Sequence, residues 1–69
     1  MKVEYDTKSD LLYFNFAPND VRAARTETPA PGLHVDYDRD GKVIGIELLE
    51  ASSILGNDLR VEFDLRPTG

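Results

Sequence analysis

The chain has 69 residues, no cysteine and a net charge of −5, from thirteen Asp and Glu against eight Lys and Arg. That size holds one domain with a small core, and the missing cysteines exclude disulfides and thiolate metal sites. The acid excess argues against nucleic-acid phosphates as a partner, since these need a clustered basic surface, and Arg22, Arg25, Arg39, Arg60 and Arg66 are scattered among acids.

The hydrophobic fraction of 41% and charged fraction of 30% are those of a globular domain. So small a core needs support from unusually good packing, a hard metal, self-association or a partner. No apolar run reaches membrane-spanning length, and the opening "MKVEYD" carries no signal-peptide core. The expected location is therefore cytoplasmic, with no membrane partner.

A period of two dominates the chain, which is the mark of half-buried strands. Lys2 to Tyr5 alternates polar and apolar residues and meets a polar turn, Asp6 to Asp10. Leu11 to Phe16 follows, with Leu12, Phe14 and Phe16 on one face and Leu11, Tyr13 and Asn15 on the other. A strand apolar on both faces belongs inside a sheet. Ala17-Pro18-Asn19-Asp20 reads as a loop, and the short-sided stretch Val21 to Thr28 as an edge strand or extended arm. Pro29-Ala30-Pro31-Gly32 is expected to interrupt any ladder.

Beyond it Leu33, Val35 and Tyr37 alternate with His34 and Asp36, and Val43 to Leu49 places Ile44, Ile46 and Leu48 on one face. Glu50 to Leu55 is the one good helix candidate, with Gly56 as its C-terminal cap. Leu59 to Leu65 then alternates Leu59, Val61, Phe63 and Leu65 with charged residues, predicting a strongly amphipathic last strand. If that strand finds no partner within the chain, it is the element expected to pair with another chain. The fold class is thus α+β, mostly β: an antiparallel meander of five to six strands with one short helix near the C-terminus. All of residues 1–69 form a single domain.

One segment, Asp36 to Glu47 ("DYDRDGKVIGIE"), fits the calcium-loop pattern D-x-D-x-D-G-x5-E at every specified position. In such a loop, carboxylates at alternate positions converge on the ion, Gly makes the sharp turn and a final Glu binds through both oxygens. The motif also requires a helix on each side, and the entering "TPAPGLHV" cannot be one. A β-hairpin explains more of the residues. With Asp38 to Gly41 as a four-residue loop, Tyr37 faces Lys42, Val35 faces Ile44 and Leu33 faces Ile46, which puts both apolar faces together. In that register His34 faces Gly45, with Glu47 diagonal to it and Asp36 on the same face. His34, Asp36 and Glu47 are the candidate ligands for a divalent metal; a solvated polar face is the competing reading.

Other chemistry is missing from the sequence. There is no Cys nucleophile, no glycine-rich phosphate loop and a single His. Ser9, Ser52 and Ser53 suit capping or turn roles. No catalytic residue and no cofactor is expected, and an enzyme is not.

Two segments carry a family resemblance. "MKVEYDTKSDLLYFNF" and "VDYDRDGKVIGIELLEAS" resemble the two halves of the small bacterial proteins grouped as domain of unknown function 2283. The shared features are Tyr5-Asp6, Asp10 before Leu12-Tyr13, the acidic turn ending in Gly41, Gly45-Ile46-Glu47 and Ala51-Ser52. They make residues 1–53 the family-like core and 54–69 a C-terminal strand extension. Leu11, the proline-rich 29–31 segment and that extension depart from the pattern. The resemblance implies a compact, mostly β protein with no established activity, and an antitoxin-like role beside a small toxin-like protein.

The function expected from all this is a non-enzymatic interaction module that self-associates as a homo-oligomer or binds a protein through an exposed strand or its acidic face. The alternative is a small ligand- or metal-binding domain on the polar face of the 33–49 hairpin.

Overall fold

The computed structural model describes residues 1–18, 20–56, 60 and 62–67. The elements are β1 (Lys2–Asp6), β2 (Leu11–Asn15), β3 (Arg25–Ala30), β4 (Leu33–Tyr37), β5 (Val43–Leu48) and α1 (Ala51–Leu55). They form one antiparallel sheet in the order β1-β2-β5-β4-β3, so the mostly β class with a single short helix holds. The sheet joins a hairpin, β1–β2, to a three-stranded meander, β3–β5, through the pairing of β2 with β5. Between β2 and β3 the chain passes from inside the sheet to its far edge. Beside the β4–β5 turn, Asp20, Val21, Arg22 and Ala24 line a shallow hollow with Asp38, Arg39 and Asp40.

Two boundaries differ from those read in the sequence. The strand expected over Val21–Thr28 begins only at Arg25, and it continues through Pro29 to Ala30, where an interruption was expected. Proline is tolerated there because β3 lies at the sheet edge and its register slips between Glu27 and Ala30, so no ladder bond is demanded of it. The strand expected over 59–65 falls partly on Leu59 and Val61, outside the described residues. Arg60 and residues 62–65 are in no strand, and Phe63 and Leu65 stand 69% and 92% exposed.

The hairpin register also differs. Leu33 faces Leu48, Val35 faces Ile46, His34 faces Glu47 and Asp36 faces Gly45, with a bulge between Asp36 and Tyr37. This is a shift of two residues from the pairing the sequence suggested. Side chains alternate with period two, so a two-residue shift preserves which face each residue occupies while changing every neighbour.

The pairings sort the sheet into two faces. Val3, Tyr5, Leu12, Phe14, Ile46, Leu48, Leu33 and Val35 share one. Among the described residues no second layer closes over it, and only Leu12, Ile44, Gly45 and Ala51 are buried, while Val3 and Phe16 are 37% and 45% exposed. Of the helix, Ala51 is buried, but Ile54 and Leu55 face solvent.

The helix is anchored from a distance. Glu50, at its N-cap, takes a left-handed conformation and offers no side-chain cap. Asp10, also left-handed, supplies one from the β1–β2 turn: its carbonyl accepts from Ala51 N at 2.9 Å, and its carboxylate from Ser52 N at 3.0 Å and Ser52 Oγ at 2.6 Å. These acceptors satisfy amides that a helix leaves unpaired in its first turn. The Tyr5 hydroxyl donates to the same carboxylate at 2.6 Å. Gly56 closes the helix with φ 78°, its amide bonded to the Ser52 carbonyl at 2.8 Å.

Donation from Ser52, and then from Tyr5, holds the Asp10 carboxyl below the usual carboxylate range. The unfolded chain therefore takes up this proton first as pH falls, so Asp10's contribution is complete above its unfolded pKa and is lost as pH drops through the lowered folded value. Asp10→Asn should lower the melting temperature at neutral pH and flatten its fall on acidification, as read by thermal melts from about pH 6 to pH 2. An unchanged acid profile would show that Asp10 does not hold the helix.

Candidate functional site

The opposite face of the sheet is polar, and the pairings order it into rows. One row runs Glu4, Tyr13, Glu47, His34 from β1 to β4. The next runs Asn15, Gly45, Asp36, Thr26 from β2 to β3. Tyr13 leans out of its row across Gly45 and donates to Asp36 Oδ2 at 3.1 Å. The other oxygen of Asp36 accepts from Thr26 Oγ1 at 2.5 Å. Side chains on three strands, β2, β3 and β4, are thereby linked across the fourth, β5, which works because Gly45 has no side chain. A Cβ at position 45 would lie 2.7 Å from Tyr13 Cζ and closer still to its hydroxyl. Partial burial, then the bond to Asp36, raises the Tyr13 pKa above that of a free phenol.

His34 lies directly opposite Glu47, and its Nδ1 shares a hydrogen bond of 2.8 Å with Thr28 Oγ1. The three metal candidates thus occupy one face, but Asp36 is turned to Tyr13 and Thr26 while His34 is turned to Thr28. Among the described residues, no group of three or more His, Cys, Asp and Glu is placed to hold a metal ion. A shallow groove of about 510 Å³ runs along this face, lined by Glu4, Tyr5, Asp6, Leu11, Tyr13, Asp36 and Glu47. Its walls are mostly acidic.

The calcium-like letters serve the turn. Asp38 Oδ1 accepts from the amides of Asp40 and Lys42, both at 2.9 Å. The Gly41 amide donates to the Asp38 carbonyl at 3.0 Å, and Gly41 takes φ 83°. Asp6 plays the same part in the β1–β2 turn, accepting from Lys8 N at 2.9 Å and Ser9 N at 3.3 Å. Aspartates that bond backbone amides two to four residues on are turn formers. Glu47 lies five residues past Lys42 along an extended strand, roughly 15 Å from the turn carboxylates.

The sequence alone did not reveal either convergence, Tyr5–Asp10–Ser52 or Tyr13–Asp36–Thr26. The available signals were a glycine inside an apolar strand and polar residues on a strand otherwise built for burial. Neither signal names its partner, because the partners lie 23 and 42 residues away in the chain.

Fold and polar face together define a small open-sheet protein, one face apolar and the other acidic, with carboxylates occupied in holding turns, strands and helix. A family model described as protein of unknown function (DUF2283) matches residues 2–52, and the chain belongs to that family. No curated protein and no solved structure matches it. The match ends within α1, so the segment beyond Gly56 lies outside it. No helix among the described residues is long and apolar enough to cross a membrane.

Gly45→Ala should destabilise the protein by about 1–3 kcal/mol, the usual cost of forcing atoms into occupied space. In a Tyr13→Ala background the same change should cost a few tenths of a kcal/mol at most, because the obstructing ring is gone. Urea denaturation of the four proteins in this cycle measures the coupling, and additive effects would contradict the crossing geometry.

Proposed function

We infer that the protein is a non-enzymatic interaction module that acts by self-association, with the apolar face of its sheet covered by the same face of a second copy. The observation that carries this reading is the missing second layer: Val3, Phe14, Phe16, Val35, Ile46 and Leu48 all keep partial exposure on one face. Sheets bury an apolar face by stacking at about 10 Å on another layer, and outside the sheet the described residues offer only a five-residue helix for that purpose. A two-fold axis brings the same face of two copies together and repeats every contact twice.

The rim suits an interface as well. On the β3 side Arg25 lies over the Tyr37 ring at 4.2 Å and pairs with Glu27 at 2.8 Å, so the apolar patch ends there in charge. Polar rims around apolar centres are the usual anatomy of protein contacts. A small toxin-like partner, which the family resemblance implies, would have to cover the same face.

Sedimentation velocity over a wide concentration range tests the reading. The expected result is a dimer that dissociates on dilution, with Val35→Lys and Phe16→Glu each shifting it toward monomer while the circular dichroism spectrum is kept. A wild-type chain that stays monomeric at every concentration, or a dimer indifferent to both substitutions, would count decisively against it. A species formed only with a different protein would replace self-association by a heteromeric contact on the same face.

A further inference from the structure

We propose that the C-terminal segment around Phe63 and Leu65 is an exchanged arm, added as a strand to the β1 edge of a second copy; this rests on the self-association read above. The segment has strand chemistry, but its described residues, 60 and 62–67, lie in no strand. Its charged side chains bond to one another two residues apart, Arg66 Nε to Asp64 Oδ2 at 2.8 Å and Arg60 to Glu62 at 3.6 Å. In an extended chain residues two apart share a face. One stripe of the arm is therefore charged, and the other, bearing Phe63 and Leu65, is bare at 69% and 92% exposure.

The sheet offers two edges, and they are not alike. β3 is blunted by Pro29 and by the register slip between Glu27 and Ala30, two devices that stop edge pairing. β1 has neither. It pairs with β2 in unbroken register from Lys2 to Asp6, and among the described residues no strand lies on its outer side. Its Lys2–Glu4 pair at 3.5 Å repeats the alternating charged stripe of the arm on the polar face, while Val3 and Tyr5 point to the apolar face. An added strand with Phe63 and Leu65 inward would extend the apolar face by one row.

Area supplies the reason for a second copy. Five strands of five or six residues give a face of roughly 400 Å², about half of the 800 Å² or so per partner that a standard interface buries. Two exchanged arms fill much of the shortfall. Ser52 is bonded to Asp10, which roots the arm at the β1–β2 end of the sheet. In a two-fold pair with the β1 edges adjacent, each arm leaves beside the edge that receives the other.

Isotope-filtered NMR on full-length chains tests the exchange. Mixed samples, one chain labelled at Phe63 and the other at valine methyls, should give contacts from the Phe63 ring to Val3 across chains. Phe63→Asp with Leu65→Asp should raise the dimer dissociation constant roughly a hundredfold with the sheet spectrum kept. Contacts seen only within one chain, no contacts at all, or a dimer unmoved by the double substitution would each overturn the arm and leave self-association standing. A strictly monomeric wild-type chain would overturn both.

Discussion

The crossing of Tyr13 over Gly45 to Asp36 is the point on which the sheet depends. β5 is the only strand that joins the first hairpin to the later meander, so the two halves meet where Tyr13 of β2 reaches β4 over the bare backbone of β5. A side chain at position 45 would force the ring away and leave Asp36 with Thr26 alone. The bond is modest in energy, as hydrogen bonds on a half-exposed face are, but its geometry admits one register only. Ladder bonds alone would tolerate a slip; this contact does not.

A sheet held in that register has one face that water can accept and one that it cannot. The polar face carries Glu4, Asp36, Glu47 and His34, and the other carries Phe14, Val35, Ile46 and Leu48. Among the described residues, the one element outside the sheet is the five-residue α1. That helix serves the turn, where Asp10 fixes its first amides. Conformational entropy must be offset by burial, and three buried hydrophobic side chains among the described residues are few for that task. Exposed apolar surface on the sheet and exposed Phe63 and Leu65 beyond it thus lead to the same reading from two directions.

The acidic character has a local origin. Asp6 and Asp38 close turns, Asp10 caps a helix that has no cap of its own, and Asp36 receives two hydroxyls. In each case a carboxylate provides strong acceptors where backbone or hydroxyl donors would otherwise go unpaired. Several residues on which the family resemblance rests, among them Tyr5, Asp6, Asp10, Gly45 and Ser52, are those that make or permit these bonds.

Period-two alternation and turn chemistry were enough to give the five strands, the short helix with Gly56 at its end, and the hairpin beneath the calcium-like letters. These depend on neighbours a few residues apart, and such neighbours are visible in the sequence. Which strands lie side by side was not visible: β2 beside β5, Pro29 accommodated at an edge, and His34 opposite Glu47 all follow from pairings between distant segments. Parity fixed the face of each residue, but the two-residue register shift that changed its neighbours cost nothing in parity. Only the tertiary structure, through the ring of Tyr13 lying over Gly45 and the bulge at Asp36, chose among registers that the sequence pattern leaves equal.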